Sequence, residues 1–232
     1  QFLSLLKSRG ILAVDVMKNK ISKIMNVLKG HFNLERKTTL NRMREEKNPF
    51  KILIGCLVSI NIKDEVTEKI LEELFSKVNS FTDIININIK ELEKILYLAR
   101  YRKIKASTLK SVSRAILERF DGRVPNNKED LLSIKGIGPK TANVVLAFAF
   151  NKPYIPIDSN TIRISNRIGW IKSNKPLEVE KFLVNNLDEN FLKEANAVFM
   201  IHGKKICVPI SPFCSKCPVE KNCMKNGVER SR

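Results

Sequence analysis

The sequence predicts an all-α protein with a break between two helical lobes, and three observations lead to that class. Apolar residues recur at spacings of three and four along most of the 232 residues, which is the period of an amphipathic helix. No stretch sustains the alternation that is typical of a strand. The stretch NKPYIPID at 151–158 contains two prolines, which interrupt helices, and it therefore marks the break.

The helices are expected to follow one another with short connections. The stretch 48–60 is apolar nearly throughout, so a central, buried helix is expected there, with Cys56 as part of its core. Asp64 is the expected N-cap of the next helix, and the stretch 83–90 is expected to connect two helices. Helices are predicted over 16–29, 48–60, 64–77, 90–100, 104–119, 127–134, 139–150, 178–186 and 191–203.

The charge balance points to a polyanionic partner. Lysine and arginine total 42 against 24 acidic residues, giving a net charge of +18, and nucleic acid is the usual partner of such an excess. A lysine-rich proteome or a ribosome-associated protein would also explain it. Aromatic residues make up only 7%, which disfavours a base-stacking platform for single strands. No run reaches the length of a membrane span and no leader pattern is visible, so a soluble cytosolic protein is expected.

Two glycines and a proline stand between two predicted helices. In the stretch SIKGIGPKTANVVLAFAF the turn consists of Lys135, Gly136, Ile137 and Gly138, and Pro139 suits the first position of the following helix. Glycines let the backbone approach another molecule closely, and free amides at a helix start bind anions such as phosphate. The pattern resembles the helix-hairpin-helix motif. The alternative is a simple helical corner.

Lys140 lies in the first turn of the helix that follows this turn. The positive end of a helix disfavours a second cation, so a lysine here is expected to be neutral often enough to act as a nucleophile. A lysine so placed acts either as a phosphate clamp or as the nucleophile of Schiff-base chemistry, and its position leaves both open. Asp158 follows the proline-rich break and precedes a new helical pattern, so its simplest role is an N-cap.

Four of the five cysteines fall near the end of the sequence. Cys207, Cys214, Cys217 and Cys223 form a C-x6-C-x2-C-x5-C array, which favours a metal site over disulfides. Four thiolates suit tetrahedral zinc or a cubane iron–sulfur cluster, and general chemistry leaves both open. His202, in IHG, is expected to be a hydrogen-bonded histidine at a helix end and not a ligand.

The sequence resembles the endonuclease III family over roughly residues 45–223. The features that carry the resemblance are the hairpin, the following K-T-A-N-V-V-L, the I-D with R-I-S-N-R after it, and the cysteine spacing. The resemblance implies a six-helix domain at 42–152, with the hairpin at 127–150, and a [4Fe–4S] cluster domain at 1–41 and 153–232. A DNA-binding cleft would lie between them. The four cysteines would hold the cluster, which is the cofactor that the resemblance implies in place of zinc.

The resemblance also implies an activity. Family members are bifunctional DNA glycosylases and AP lyases of base excision repair, which remove oxidised pyrimidines of the thymine glycol type. Lys140 would attack C1′ of the damaged nucleotide and cleave the strand 3′ to the abasic site by β-elimination, with Asp158 stabilising the sugar and helping to deprotonate the amine. The implied partner is double-stranded DNA with damaged bases or abasic sites, bound by a monomer in the cytoplasm, associated with the nucleoid and not with a membrane.

The predicted DNA contacts include departures from the family pattern. Asn61 stands where the family has a glutamine that fills the gap left by the flipped base. Tyr101 replaces a wedging leucine, and Arg100 replaces a glycine. The first cysteine loop, VPISPF, has no basic residue. The predicted DNA-binding residues are Asn61, Arg100, Tyr101, Lys135, Gly136, Ile137, Gly138, Lys204 and Lys205, with Lys216 nearby.

Two other functions fit parts of this pattern. A monofunctional mismatch glycosylase, acting on uracil or thymine, would use the same scaffold and release the base without cutting the strand. A non-catalytic DNA-binding module would need both Lys140 and Asp158 to be incidental. Base release without cleavage favours the first alternative, and DNA binding without any reaction favours the second.

Overall fold

The computed structural model describes residues 2–32, 42 and 45–232, with side chains from residue 16 onward. Over these ranges the protein is all-helical, which confirms the predicted class. The α-helices are α1 (Phe2–His31), α2 (Pro49–Ser59), α3 (Asp64–Lys77), α4 (Phe81–Asn86), α5 (Ile89–Ile95), α6 (Arg102–Phe120), α7 (Lys128–Leu132), α8 (Pro139–Phe148), α9 (Ser159–Ile168), α10 (Pro176–Asn186) and α11 (Glu189–Lys205). Two 3₁₀-helices follow, at Cys214–Lys216 and Glu220–Asn222. Within the described part of the chain, no helix is both long and apolar enough to cross a bilayer.

The chain divides into two compact units. One consists of Gln1–Arg36 with Pro153–Arg232, and the other of Lys37–Lys152. We call them the terminal unit and the central unit. The lobe boundary expected between residues 41 and 42 lies at the edge of a stretch outside the described residues, whereas the second division falls within the proline-containing stretch 151–158.

The central unit is built around α2. Asn48 accepts a hydrogen bond from the Lys51 amide at 3.2 Å and so caps this helix, and Pro49 occupies the first helical position. Its apolar residues leave no polar face, and α2 packs against α3, α6 and α8. Phe50 adds edge-on contacts with Phe75 and Phe81. The predicted central, buried helix is therefore confirmed, and Cys56 lies within this core.

The terminal unit has a separate core between α1, α9, α10 and α11. Met25 and Leu28 from α1 are fully buried, and Phe199 of α11 meets the ring of Trp170 edge-on at 5.9 Å. Helix α1 is longer than the sequence predicts, because it begins at Phe2 and not near residue 16. The sequence upstream of residue 16 contains Gly10 and lacks a clear signal for a helix start. Hydrophobic periodicity therefore predicted only the second half of α1.

Two predictions about the central unit are wrong. Asp64 is not an N-cap, because α3 begins at Asp64 itself and Lys63 occupies the cap position without a side-chain bond. An acidic residue in the first turn still favours the helix through its dipole. The stretch 83–90 is largely helical, since Ser80 and Asp83 form a reciprocal capping box that starts α4 and α5 begins at Ile89.

Candidate functional site

The helix-hairpin-helix is formed by α7 and α8. Gly136 adopts a φ of +105°, and a Cβ added there would lie 3.0 Å from Cγ2 of Thr108 and 3.2 Å from Cγ2 of Val112. Glycine is therefore required by the packing of the turn against α6. Gly138 differs, because its φ is −93° and a Cβ there would meet nothing within 4 Å. The protein itself thus leaves open space over Gly138, at the cap position of α8.

The other residues of the hairpin turn differ in exposure to solvent. Ile137 is only 5% exposed, so its side chain belongs to the core and cannot be the part of the loop that contacts a partner. Lys135 is exposed. The turn is thus anchored by Ile137 and Gly136 and presents Lys135 and the Gly138 backbone to solvent.

Lys140 is exposed in the first turn of α8 and borders a pocket within the central unit. Asn61 lines the same pocket, so the structure brings together a residue from the end of α2 and one from the start of α8. Asn61 has a φ of +59°, in the left-handed region, directly after the helix end. The pocket is lined by Cys56, Ser59, Ile60, Asn61, Lys140, Thr141 and Val144.

The Cys56 thiol that lines this pocket is a poor competitor to the Lys140 amine as a nucleophile. Burial raises the pKa of the Cys56 thiol to about 12, an effect that exceeds the opposing influence of the Lys140 charge. The thiol therefore stays protonated and a poor nucleophile at neutral pH. The amine of Lys140 is the candidate nucleophile among the lining side chains.

Tyr101 is held in an uncommon backbone conformation. Its φ of 62° and ψ of 34° lie in the left-handed region, at the cap position of α6, and its side chain is 55% exposed. Bulky residues rarely adopt this conformation, and such strain is concentrated at functional positions. The Arg100 guanidinium lies 5.1 Å from the ring centroid, so the two predicted residues form one cation–aromatic pair.

Asp158 caps α9, as the sequence predicts. Its Oδ1 accepts hydrogen bonds from the Thr161 amide at 2.8 Å and from Thr161 Oγ1 at 3.0 Å. Among the described residues, its Oδ2 has one long hydrogen-bond contact, 3.5 Å from Nδ2 of Asn160. One oxygen is therefore committed to the helix start while the other remains available for chemistry.

Helix α9 is fastened to the cysteine loop by two arginines. Arg163 donates from Nε to the carbonyl of Cys207 at 3.0 Å, and from its NH2 group to Asn160 Oδ1 at 2.9 Å and to the Gly203 carbonyl at 3.1 Å. Arg167 donates to the carbonyls of Val208 and Pro209, at 2.7 and 2.6 Å. The role of these arginines cannot be read from the local sequence, because their partners are distant in the chain.

Gly203 makes this arrangement possible. A Cβ at this position would lie 2.5 Å from Asn160 Oδ1 and 2.9 Å from the Arg163 guanidinium. The exposed Lys204 and Lys205 follow it at the end of α11, where cations are favoured by the helix dipole, and Lys216 is exposed in the cysteine loop.

The four cysteines of the array line one cavity in the terminal unit, and all four are free. Burial raises the pKa of Cys217 to about 11, and it also raises that of Cys223; the neighbouring cysteines act in the same direction. A metal centre binds thiolates, so occupation of this cavity by one would release the protons of these thiols. Arg167 is 3.4 Å from Cys207 Sγ, and the Lys225 amide is 3.4 Å from Cys223 Sγ.

Two kinds of metal centre take four thiolate ligands, zinc and an iron–sulfur cluster. Among the described residues, no three His, Cys, Asp or Glu side chains are grouped closely enough to hold a metal ion. Thiolates around one zinc would each approach to about 2.3 Å and would therefore crowd together. A four-iron cluster takes one thiolate at each iron, so its ligands lie farther apart while facing a common cavity. Four thiols that line one cavity can supply the four ligands of either centre.

His202 lies against this cavity near the end of α11. It is 2% exposed, and Nε2 is 3.9 Å from Cys217 Sγ. Burial lowers the pKa of His202 to about 4, with smaller contributions from His31 and Arg163, so the ring is neutral. Nε2 thus has one long contact to a cysteine, whereas Nδ1 is buried without a hydrogen-bond partner among the described residues, so the expected hydrogen-bonded role is met at one nitrogen at most.

The C-terminal segment packs on the cysteine loop, which the sequence analysis missed. The Arg232 amide donates to the Pro212 carbonyl at 2.7 Å, and the Arg232 carbonyl accepts from the Ser215 amide at 3.1 Å. The Arg232 guanidinium lies 4.0 Å from the Phe213 ring centroid. Hydrophobic periodicity in the sequence cannot predict these contacts, because they depend on the position of the cysteine loop in the folded protein.

Comparison with known proteins places this geometry in a family. Residues 54–189 match the model of the HhH-GPD superfamily base excision DNA repair proteins. The endonuclease III of Thermotoga maritima is 34% identical over 182 residues, covering 78% of this chain and 85% of that protein. The endonuclease III of Buchnera aphidicola subsp. Baizongia pistaciae is 38% identical over 175 residues, covering 75% and 81%.

A solved structure agrees over more of the chain. A trapped covalent intermediate of endonuclease III with DNA superposes with a TM-score of 0.79 at 27% identity, covering 90% of this chain and 96% of that one. The predicted family is thereby confirmed: the chain belongs to the HhH-GPD superfamily of base excision DNA repair proteins.

Proposed function

We propose that this chain uses Lys140 and Asp158 to remove oxidised pyrimidines of the thymine glycol type and to cut the strand at the resulting abasic site. Its membership in the family, with endonuclease III among its relatives, establishes base excision repair by a DNA glycosylase with AP lyase activity. The observation that carries the finer proposal is the exposed amine of Lys140 at the start of α8, beside a pocket shared with Asn61.

The reaction begins with extrusion of the damaged nucleotide from the duplex. The neutral amine of Lys140 attacks C1′, so that an N–C1′ bond forms while the glycosidic bond breaks and its electron pair leaves with the base. The departing base takes up a proton from water. The Asp158 carboxylate stabilises positive charge on the sugar and accepts the proton that the amine loses.

The covalent intermediate then cleaves the strand. The C1′–O4′ bond breaks, and O4′ takes its electron pair and the proton that Asp158 accepted. The Nζ lone pair of Lys140 then forms an iminium with C1′, which acidifies the C2′ protons. Removal of one C2′ proton expels the 3′ phosphate by β-elimination. Water hydrolyses the remaining imine and returns the free amine of Lys140.

DNA binding is assigned to residues on both units. In the central unit, Gly138 presents an unobstructed backbone at the start of α8, suited to a phosphate, with Lys135 beside it. We assign Asn61 to the gap left by the extruded nucleotide, and the strained, exposed Tyr101 with its partner Arg100 to an adjacent base step. In the terminal unit, Lys204 and Lys205 would contact phosphates, which is consistent with the net charge of +18.

The two glycines of the hairpin allow a matched test. Gly136→Ala should destabilise the protein by roughly 1–3 kcal/mol, because the added methyl group meets Thr108 and Val112. Gly138→Ala should change the unfolding free energy by less than about 0.5 kcal/mol and weaken duplex binding, since its methyl group would lie where the phosphate approaches. Urea unfolding and DNA titration measure the two effects. If the Gly138 variant binds DNA with unchanged affinity, the loop is not the phosphate-binding site.

The four cysteines are proposed to hold a [4Fe–4S] cluster. Such a cluster can transfer electrons when bound, but no step above requires it, and we assign it a structural role in the terminal unit. Arg163 and Arg167 tie the cysteine loop to the helix that Asp158 caps, so an intact loop would help to position that carboxylate. Iron, sulfide and zinc analysis of the purified protein tests the assignment, with zinc in place of iron as the contrary outcome.

The product pattern tests the function as a whole. A duplex with one labelled thymine glycol should yield the free base and a strand cut with the β-elimination end. Base release without cleavage would indicate a monofunctional glycosylase, whereas binding without either product would indicate a non-catalytic module. Because the substrate is chromosomal DNA, we propose that the enzyme works in the cytoplasm at the nucleoid.

A further inference from the structure

A buried lysine lies at the end of α2. Lys105 is 8% exposed, and its Nζ donates to the carbonyls of Leu57, Val58 and Ile60, at 3.3, 2.9 and 2.7 Å. The last carbonyls of a helix lack partners within the helix, so one ammonium here satisfies three acceptors. Burial lowers the pKa of Lys105, which shows that the ammonium pays a desolvation cost for its position.

The carbonyls that it binds lead directly into the proposed site. Ile60 is followed by Asn61, whose φ of +59° turns the chain sharply, and both residues line the pocket of Lys140. Asparagine adopts the left-handed region readily after a helix end, so the direction in which Asn61 leaves α2 depends on how the preceding carbonyls are held. The Lys105 ammonium fixes the side that precedes Asn61.

The same residue belongs to the helix that presents Tyr101. Lys105 lies in the first turn of α6, and its amide donates to the Tyr101 carbonyl at 3.0 Å. Tyr101 is itself left-handed at the cap of that helix. One residue thereby joins, through its side chain and its backbone, two exposed residues in left-handed conformations, one just after α2 and one at the cap of α6.

We propose that Lys105 is a positioning residue, which holds Asn61 and Tyr101 in the relative placement needed to enter the duplex together where the damaged nucleotide leaves. This inference rests on the proposed function, since it assigns these two residues to the DNA. Lys105 makes no contact with the reacting atoms and acts only through the two residues that it aligns.

The protein contains a matched control for a purely structural role. Lys110, one turn and a half further along α6, donates from Nζ to the carbonyls of Ile85 and Ile87, and so closes the end of α4 in the same manner. Neither α4 nor these carbonyls border the pocket of Lys140. Lys105→Met and Lys110→Met therefore remove the same kind of interaction, but only the first affects the proposed DNA contacts.

The experiment compares these variants and Lys105→Arg on two substrates. The first is a duplex with thymine glycol opposite 2-aminopurine, whose fluorescence reports unstacking of the opposite base during insertion. The second is a single-stranded oligonucleotide with one abasic site, which has no gap to fill, and on which borohydride trapping reports Lys140 chemistry alone. Thermal melts accompany each variant.

Lys105→Met should lower the single-turnover rate of base release from the duplex roughly tenfold, with a smaller fluorescence rise, and should leave single-strand trapping within about twofold. Lys110→Met should lower the melting temperature without changing either reaction by more than about twofold. Lys105→Arg, which keeps the charge and the donors, should recover much of the lost rate. If Lys105→Met fails to fold, the Gln variants of both lysines take the place of the Met pair.

Equal duplex rates for the Lys105 and Lys110 variants would overturn the inference and leave Lys105 as an ordinary helix cap. A parallel loss of single-strand trapping would also overturn it, because the defect would then lie in the chemistry or the fold. Failure of the proposed function looks different: wild-type protein would neither release the base nor form a trapped adduct.

Discussion

Lys140→Gln is expected to abolish the covalent adduct that borohydride forms between the protein and a duplex with one abasic site. The amide of glutamine cannot form an imine, so the intermediate that borohydride reduces does not arise. Strand cleavage should fall by on the order of 10³-fold or more, as it does when a nucleophile is removed. Gel electrophoresis of the trapped adduct and of the cleaved strand measures both effects.

Lys135→Gln is the control for this experiment. It removes the same charge from the same hairpin, but at a position assigned to phosphate and not to the sugar, so weaker DNA binding with normal trapping at saturating DNA is expected. An adduct that persists in Lys140→Gln would assign the nucleophile to another amine. No adduct from folded, DNA-binding wild-type protein would make Lys140 a phosphate clamp and favour the monofunctional alternative.

The residues that could be predicted from the sequence are those with local signals. Helical periodicity found α2, α3 and α8, and the pattern of glycines and proline found the hairpin between α7 and α8. The N-cap role of Asp158 can also be predicted from the local sequence, because a cap residue bonds to the residues that directly follow it. Predicted helix boundaries were wrong where one residue type suits two neighbouring positions. Asp64 is an example, because an acidic residue is favoured both at the N-cap and in the first turn of a helix.

The rest depends on contacts between distant parts of the chain. The three carbonyl acceptors of Lys105 belong to the end of another helix, and nothing around Lys105 in the sequence distinguishes it from the many exposed lysines. Gly203 shows the same limit, since the reason for a glycine there is the side chain of Asn160 on a neighbouring helix. Sequence periodicity reports which face is buried, but not which polar groups meet across the interface.

Asp158→Asn should separate catalysis from helix capping. Asparagine caps helices about as well as aspartate does, and its carbonyl oxygen can accept the Thr161 amide in place of Oδ1. The unfolding free energy should therefore change by less than about 0.5 kcal/mol. Base release from a thymine glycol duplex should fall roughly 10²- to 10⁴-fold, because the variant neither stabilises the sugar cation nor accepts a proton. Urea unfolding and single-turnover kinetics measure the two quantities.

Asp158→Ala is the companion variant, because it removes both roles. It should show the same loss of base release and an additional destabilisation of about 1 kcal/mol from the lost cap. At a preformed abasic site the base has already left, so both variants should retain more trapping than base release. If Asp158→Asn releases the base at the wild-type rate, the carboxylate is a cap alone. The charge that assists base departure must then come from another group, and Lys140 would have to be deprotonated without Asp158.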